Sequence, residues 1–274
     1  MLSAIQRSPG RREEKHGHSI LELRPQAKLK PSPVILPKGM KTQTISVGTQ
    51  KYTLYSRDDT DDSVIYEVFK SQEYSRTKEI LQKATHGVID IGAHIGTFVL
   101  YARAHNATVP IFAYEPLEEN YTLLKRHIKE NHLSHVVSSQ VAVGGHAGES
   151  VLQVSQNNHN NSLGTPLDDK VLREQKVQTV VLDRIFSKNR LEVCDLLKVD
   201  CEGAEYDIFT HTSPETFAKI RAIMMEYHEH QGHSYTELVS LLTKHGFVLR
   251  HHEASKYHKG LGTLFFTRTV GTNG

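Results

Sequence analysis

Short apolar runs alternate along the chain with segments in which apolar residues recur every three or four positions. From Gly87 onward the order is strand, helix, strand, helix, through "GVIDIG", "TFVLYARAH", "IFAYEP" and "ENYTLLKRHIKENH". A third strand is expected in "VVSSQVAVGG" and another in "VQTVVL", and the alternation then resumes in "DLLKVDCEG", "AEYDIFTHT", "AIMMEYHEH" and "SYTELVSLLTKHG". Strands separated by helices of about 10 to 15 residues predict right-handed crossovers and a parallel sheet covered on both faces. The short connection between "FVLRHH" and "GTLFFTR" predicts an antiparallel hairpin at the sheet edge.

The pattern divides the chain into three parts. Residues 1–42 carry several prolines and almost no apolar periodicity, which predicts a flexible basic tail. Residues 43–87 form a lead-in, with a hairpin turning at Gly48 followed by one helix that ends at Gly87 as its C-cap. Residues 88–270 hold the strand and helix alternation and are expected to form the functional domain.

Composition and charge narrow the class of protein. The chain of 274 residues carries 33 Lys+Arg against 31 Asp+Glu, a net charge of +2. This net charge is too small to give the whole surface the positive potential that attracts nucleic acid. No apolar run is long enough for a membrane span or a signal peptide, and two cysteines do not make a disulfide framework. We therefore expect a cytoplasmic protein. The opening "MLSAIQRS" faintly suggests a mitochondrial presequence, but Glu13 and Glu14 argue against one.

A glycine-containing turn follows the first strand of the domain and opens its first helix. Such a turn places a ligand at the helix N-terminus, where nucleotides bind. A dinucleotide fingerprint needs glycines at relative positions 1, 3 and 6, but after Gly92 the chain has His94 and Thr97 at the second and third of these. NAD and FAD are therefore disfavoured. Glu115 ends the second strand at roughly the spacing of about 20 residues at which a carboxylate binds the ribose hydroxyls of a nucleoside.

Four segments resemble the FkbM-type family of S-adenosylmethionine-dependent methyltransferases. They are "VIDIGAHIGTF", "YEPLEENYTLLKRHIKEN", "LLKVDCEGAEYDIF" and "IMMEYHEH", in that order, and "KVDCEGAE" is the most diagnostic. The resemblance implies an α/β class I methyltransferase fold, a Rossmann-like seven-stranded, mostly parallel sheet in the order 3-2-1-4-5-7-6 with helices on both faces. It also implies O-methylation, commonly of sugar or natural-product hydroxyls.

The resemblance also assigns residues to S-adenosylmethionine. The glycine turn would hold the methionine part of the cofactor, Glu115 the ribose, and the end of the third strand would flank the adenine. His94 stands where the family usually has Asn. The expected cofactor-binding residues are Asp90, Gly92, Ala93, His94, Gly96, Thr97, Glu115, Pro116, Asn120, Gln140, Val141 and Ala142.

Ionisable residues follow the fourth and fifth strands of the domain, where an acceptor hydroxyl would need a base. Side chains alternate along a strand, so residues two apart point to the same side, and the ends of neighbouring strands meet at one cleft. An alcohol is a weak nucleophile until it loses its proton, which makes these groups the catalytic candidates. They are Lys198, Asp200, Glu202, Glu226 and His228, with Asp200, Glu202 or His228 as the base. The structural alternative is a network of ion pairs that includes Lys198.

No complete sequence motif marks a binding site for the acceptor or for a metal. The amide-rich loop "QNNHNNSLGT" suits a polyhydroxylated acceptor, and we expect Asn161, Ser162 and Glu205 to contact the substrate. A divalent metal is an alternative that the residues do not favour, because "EYHEH" has strand-like spacing and is not the helical His-Glu-x-x-His motif. No metal ligand is therefore predicted.

The sequence leads to one preferred function and two alternatives. We expect an S-adenosylmethionine-dependent methyltransferase (EC 2.1.1.-) that modifies a hydroxyl of a small molecule or glycan. A methyltransferase of RNA or another macromolecule, using the basic tail to hold phosphates, is the first alternative, although nucleic acid is not the favoured partner. A scaffold that binds the cofactor without catalysis is the second. The sequence carries no signal for an oligomeric state.

Overall fold

The computed structural model describes residues 39–155, 162–163, 171–230 and 232–268. Nearly all of the predicted tail and most of the amide-rich loop, with Asn161, lie outside these residues. No helix in the described part of the chain is long and apolar enough to cross a membrane.

The N-terminal part forms a hairpin and then a broken helix. Strands β1 (Lys41–Val47) and β2 (Gln50–Ser56) pair in antiparallel register around Gly48, as predicted. The single helix predicted next is wrong, because the chain forms a helix α1 (Asp59–Tyr66), a π-helical turn, a 3₁₀ turn and a helix α2 (Lys78–Lys83). The break falls at Gln72, whose left-handed φ of 56° turns the chain and brings Tyr74 into the core.

The central elements follow in the predicted alternation. In chain order they are β3 (Val88–Ile91), α3 (Thr97–His105), β4 (Ile111–Tyr114), α4 (Glu118–Glu130), β5 (Val136–Ser139), β6 (Ala142–Val143), β7 (Gly148–Ser155), β8 (Ser162–Leu163), β9 (Val171–Val180), α5 (Leu182–Asn189), β10 (Leu196–Val199), α6 (Glu205–Thr210), α7 (Pro214–Ala218), β11 (Ala222–His228), α8 (Tyr235–Lys244), β12 (Phe247–Ala254) and β13 (Leu261–Arg268). Helix α8 begins with a capping box formed by Ser234 and Glu237.

A seven-stranded sheet carries the fold, in the order β12-β13-β11-β10-β3-β4-β5. Neighbours from β11 through β5 are parallel, and β13 pairs antiparallel with both β11 and β12. Counted within this sheet alone, the order reads 3-2-1-4-5-7-6, which is the order that the resemblance implies. The predicted α/β class, with a mostly parallel sheet, is confirmed. Strands β3, β4 and β10 are buried at every position, as expected of parallel strands that are covered on both faces.

The predicted third strand is wrong in its extent. In the main sheet that strand, β5, ends at Ser139. The chain then enters a second sheet of four strands in the order β6-β9-β7-β8. Ala142 and Val143 are buried there and pair in parallel with Thr179 and Val180 of β9. The tripeptide Gln140 to Ala142 therefore links the two sheets instead of ending a strand of the first.

Helices pack on both faces of the main sheet. One buried cluster includes Phe209 and Phe217 from α6 and α7 and also draws on α5 and α8. The opposite cluster includes Phe98 and Leu124 from α3 and α4, together with residues of the broken helix. Close packing on both faces leaves the carboxyl ends of the parallel strands as the open edge of the sheet, which is where ligands bind in folds of this class.

Candidate active site

A cavity of about 780 Å³ opens at the carboxyl ends of β3, β4, β10 and β11. This volume lies in the range of about 300 to 1,000 Å³ found for small-molecule sites. Gly92, His94 and Glu115 line it beside the glycine turn, and Asp200 and Glu226 line it at the two neighbouring strands. Three sequence-distant segments therefore meet at one site.

The turn between β3 and α3 depends on two glycines with positive φ. Gly92 has φ 73°, and a Cβ atom placed there would lie 1.6 Å from the backbone oxygen of Asp200. Gly96 has φ 88°, and its added Cβ would lie 2.6 Å from a side-chain carbon of Leu124. His94 between them also adopts a left-handed conformation, with φ 48°. The turn thus needs glycine at both ends and holds the His94 side chain at the cavity wall.

Glu115 is fixed at the end of β4 by donors on both of its oxygens. Oε2 accepts a hydrogen bond from the backbone N–H of His94 at 2.9 Å, and Oε1 accepts from the backbone N–H of Leu117 at 2.9 Å and from Asn120 Nδ2 at 3.3 Å. The side chain is buried yet lines the cavity. Burial raises the pKa of Glu115 to about 7, although these donors act to lower it. The carboxylate is therefore held in one orientation and offers its remaining lone pairs to a ligand.

Residues between the N-terminal hairpin and α1 hold the Glu115 carboxylate indirectly, through Asn120. The Arg57 guanidinium binds the buried Asp61 carboxylate through two hydrogen bonds, at 2.8 and 2.7 Å, and donates to Asn120 Oδ1 at 2.7 Å. Asn120 then donates to Glu115. Sequence reasoning missed Arg57 and Asp61, because this chain of contacts forms only when the hairpin packs against α4.

Lys198 connects the glycine turn to the fourth strand of the domain. Its ammonium donates to the backbone oxygen of Gly92 at 2.7 Å and lies 3.3 Å from a carboxylate oxygen of Asp90 and 3.3 Å from one of Asp200. Burial acts to lower the pKa of Lys198, but Asp200 and Asp90 outweigh it and the pKa is raised. The ammonium therefore stays charged and holds the two strand ends together.

His228 stands between two glutamates at the end of β11. Its Nε2 lies 3.1 Å from Glu202 Oε2, and its Nδ1 lies 3.2 Å from Glu205 Oε1. Burial acts to lower the pKa of His228, but Glu202 and Glu205 outweigh it and raise the pKa well above its ordinary value. Burial raises the pKa of Glu202 itself to about 7.

Four carboxyl groups form one acidic wall of the cavity: Glu73, Asp200, Glu202 and Glu226. Glu226 Oε1 lies 3.9 Å from His228 Nε2, and burial together with Asp200 raises the pKa of Glu226 well above its ordinary value. Glu73, from the 3₁₀ turn, also lines the cavity, and burial followed by Asp200 and Glu67 raises its pKa to about 7. Sequence reasoning missed Glu73, because its segment has the apolar spacing of a single helix.

The structure brings most of the predicted site residues to this cavity, while their roles stay predictions. The predicted catalytic residues that line it are Lys198, Asp200, Glu202, Glu226 and His228. The predicted cofactor residues that line it are Gly92, Ala93, His94, Thr97, Glu115, Pro116, Asn120 and Ala142. Among the described residues, the predicted ones outside the lining are Asp90, Gly96, Gln140, Val141, Ser162 and Glu205.

Two of the predicted acceptor contacts do not reach the cavity. Glu205 is fully buried, and its carboxylate accepts hydrogen bonds from the backbone N–H groups of Cys201 at 3.1 Å and Gly203 at 3.0 Å. Ser162 is buried within β8. Neither side chain lines the cavity, so their contact with an acceptor stays a prediction. Glu205 instead contacts His228.

Two groups of donors in the described part of the chain are close enough to hold a metal ion. Asp200, Glu202 and His228 form one at the cavity. The other is exposed and consists of His146, Asp207 and His211.

Comparison with known proteins adds family-level findings. Residues 90–249 match the model of the methyltransferase FkbM domain. The chain is 29% identical over 189 residues to methyltransferase sdnD of Sordaria araneosa, covering 58% of this chain and 73% of that protein. It is 25% identical over 190 residues to the 31-O-demethyl-FK506 methyltransferase FkbM of Streptomyces tacrolimicus, covering 59% and 72%. A solved structure of M. jannaschii TYW2 in complex with AdoMet matches with a TM-score of 0.40 and 16% identity, over 86% of this chain and 90% of that one.

The family model spans more than half of the chain and covers the glycine turn, Glu115 and the acidic wall after β10 and β11. The chain therefore belongs to the FkbM family of S-adenosylmethionine-dependent methyltransferases.

Proposed function

We propose that this chain transfers a methyl group from S-adenosylmethionine to a hydroxyl oxygen of a small molecule or glycan. The observation that carries the proposal is one cavity lined both by a fixed carboxylate, Glu115, and by a cluster of ionisable groups around His228. The first suits the ribose of a nucleoside and the second suits the activation of an alcohol. A relative whose printed name specifies methylation at an oxygen supports this choice of acceptor atom.

The residues at the glycine turn fit this cofactor. Gly92 lets the turn pack directly against the backbone of Asp200, where a Cβ would collide, so the turn and the end of β10 meet at one edge of the cavity. His94 and Thr97 occupy the places where a dinucleotide needs glycine, which disfavours a diphosphate. Glu115 presents an acceptor to the ribose hydroxyls. When bound, the cofactor supplies a methyl on a sulfonium, and the carbon–sulfur bond breaks as the carbon–oxygen bond forms.

The protein residues would act on the acceptor in two ways. The cavity walls align the acceptor oxygen with the methyl group and limit the access of water, which is a large part of catalysis in a displacement. The hydroxyl proton passes to a carboxylate of the cluster formed by Asp200, Glu202 and His228. Burial acts to lower the pKa of His228, but Glu202 and Glu205 outweigh it and keep the imidazole protonated. Lys198 holds Asp200 in place through its ion pair and is a positioning residue.

The acidic wall bears on the alternative acceptors. Glu73, Asp200, Glu202 and Glu226 all line the cavity. The raised pKa values of Glu73, Glu202 and Glu226 indicate that this buried space disfavours further negative charge, such as that of a phosphodiester backbone. This disfavours a nucleic-acid acceptor. A scaffold that binds the cofactor without catalysis remains an outcome of the test below.

The test combines cofactor binding with turnover. S-adenosylhomocysteine should raise the melting temperature of the chain and NAD should not, because only the former lacks a diphosphate. With labelled S-adenosylmethionine, a library of hydroxyl compounds and glycans should yield at least one methylated product. Glu202→Gln should lower that turnover by about 100-fold or more, the range for loss of a general acid or base. Glu215→Gln, at an exposed position on α7, is the matched control and should leave turnover unchanged.

Three results would contradict the proposal. Stabilisation by NAD in place of S-adenosylhomocysteine would reject the cofactor. Tight binding of S-adenosylhomocysteine with no product from any acceptor would favour the scaffold. Label transfer to RNA alone, abolished by removing residues 1–42, would favour the macromolecular alternative.

A further inference from the structure

Asp200, Glu202 and His228 offer a mixed set of metal donors at the cavity. One oxygen from each carboxylate and one imidazole nitrogen all lie within 4.8 Å of one another. Asp200 and Glu202 follow β10, while His228 ends the adjacent parallel strand β11. The sequence did not favour a metal because "EYHEH" is not the helical His-Glu-x-x-His motif, whereas the structure gives the distances among the three side chains.

A fourth residue, which is not one of the donors, orients the histidine. Glu205 is fully buried and is held by the backbone N–H groups of Cys201 and Gly203. Its Oε1 lies 3.2 Å from His228 Nδ1, so that nitrogen can donate its proton to Glu205. Metal-binding histidines almost always donate their second N–H to a carboxylate or carbonyl in this way. The arrangement directs Nε2 toward Glu202, at 3.1 Å, and toward the cavity.

The charges around this group are unbalanced. Glu226 lies 3.9 Å from His228 Nε2, and Glu73 lines the same cavity. The buried cation nearby, Lys198, is already shared between Asp90 and Asp200. A protonated His228 supplies one further positive charge, and a divalent cation would take the place of its proton on Nε2. Several carboxylates around a partly buried space repel one another unless a cation lies among them.

We infer that Asp200, Glu202 and His228 bind a first-row divalent cation at the acceptor side of the cavity. Imidazole with carboxylates suits Mn²⁺ or Zn²⁺ better than Mg²⁺ or Ca²⁺, which prefer oxygen alone. The catalytic consequence rests on the proposed function: a cation at this position would bind the acceptor oxygen and favour loss of its proton. Glu205 is then a positioning residue for a metal ligand.

The test measures metal binding directly, with the full chain. Protein stripped with a chelator and dialysed is titrated by calorimetry with Mn²⁺ and, in a separate series, with Zn²⁺. We expect one saturable site that weakens at least tenfold in Asp200→Asn and in Glu202→Gln. His211→Ala, in the exposed His146, Asp207 and His211 group, is the matched control and should bind as the unmodified chain does. Unchanged affinity for S-adenosylhomocysteine shows that each variant is folded.

Absence of saturable binding of either ion would overturn the inference, and so would binding that His211→Ala removes and Glu202→Gln retains. His228 would then be a protonated imidazolium held between Glu202 and Glu205. The two proposals fail separately. Methyl transfer that is equally fast with chelator and with added ion removes the metal from catalysis and leaves the proposed function. Metal binding by a chain that does not bind S-adenosylhomocysteine rejects the proposed function and leaves the metal site.

Discussion

Replacing Glu115 with glutamine changes the residue on which cofactor recognition depends. The carboxylate accepts from the backbone N–H groups of His94 and Leu117, one on each oxygen. A glutamine keeps one acceptor and turns the other into a donor, which then faces one of these N–H groups. The variant therefore loses an acceptor for ribose and also loosens the turn that carries His94.

The size of the effect follows from the number of hydrogen bonds lost. A hydrogen bond to a charged group contributes about 1.5 to 3 kcal/mol, and each 1.4 kcal/mol changes affinity about tenfold. Loss of one such bond predicts that Glu115→Gln binds S-adenosylhomocysteine about 10-fold to 100-fold more weakly. The difference depends on pH, because burial raises the pKa of Glu115 to about 7. The carboxylate is ionised above that pH and protonated below it, so the unmodified chain should bind more weakly at about pH 6 than at about pH 8.

Calorimetric titration with S-adenosylhomocysteine at about pH 6 and pH 8 measures both effects. Glu118→Gln is the matched control, since Glu118 is exposed three positions further along and should not alter affinity. The unmodified chain should lose up to about tenfold in affinity from the higher to the lower pH. Glu115→Gln should lose less, because the group at position 115 no longer titrates while Glu73 and Glu202, which line the same cavity, still do. Equal affinity of Glu115→Gln and the unmodified chain at the higher pH would refute the reasoning.

Two further substitutions test the framework of the site. Gly92→Ala places a Cβ 1.6 Å from the backbone oxygen of Asp200 at φ 73°. Calorimetry should therefore show a melting temperature lowered by several degrees and loss of S-adenosylhomocysteine binding. An unchanged melting temperature would be inconsistent with this turn. Asp195 accepts from the backbone N–H groups of Thr85, His86 and Gly87, and these bonds lower its pKa although burial opposes them. Asp195→Asn should therefore lower the free energy of unfolding by about 1.5 to 3 kcal/mol at neutral pH. The ionised Asp195 carboxylate stabilises the fold only above the pKa that Asp195 has in the unfolded chain. The difference in unfolding free energy between the variant and the unmodified chain should therefore shrink when denaturant titrations are made below about pH 4. A difference that does not depend on pH would argue against an ionised Asp195.

The main sheet was predictable because its strands are marked locally. Strand β4 is a continuous apolar run and β3 is apolar except for Asp90; each lies close to a glycine or proline, and α4 has apolar residues on one side only. The second sheet was not predictable in this way. The end of β9 was predicted from "VQTVVL", but the earlier part of this strand is mostly exposed and is defined by its backbone pairing with β7, which leaves little trace in the sequence. The break at Gln72 likewise goes with a contact between segments distant in sequence, in which Tyr74 packs edge-on against Phe98.

The site was predictable where residues sit at strand ends. Asp200 and His228 follow adjacent parallel strands, so topology alone places them near one another. Glu73 and Arg57 were missed because they reach the site from a segment far away in sequence that folds against it. Glu205 was assigned to the acceptor because its spacing from Glu202 was known while its burial was not.

A crystal structure of the full chain with S-adenosylhomocysteine tests the central claim most directly. We predict density in the cavity with the ribose hydroxyls within hydrogen-bond distance of Glu115 and the homocysteine along the turn at Gly92. A ligand bound elsewhere, or an empty cavity at saturating concentration, would contradict the account.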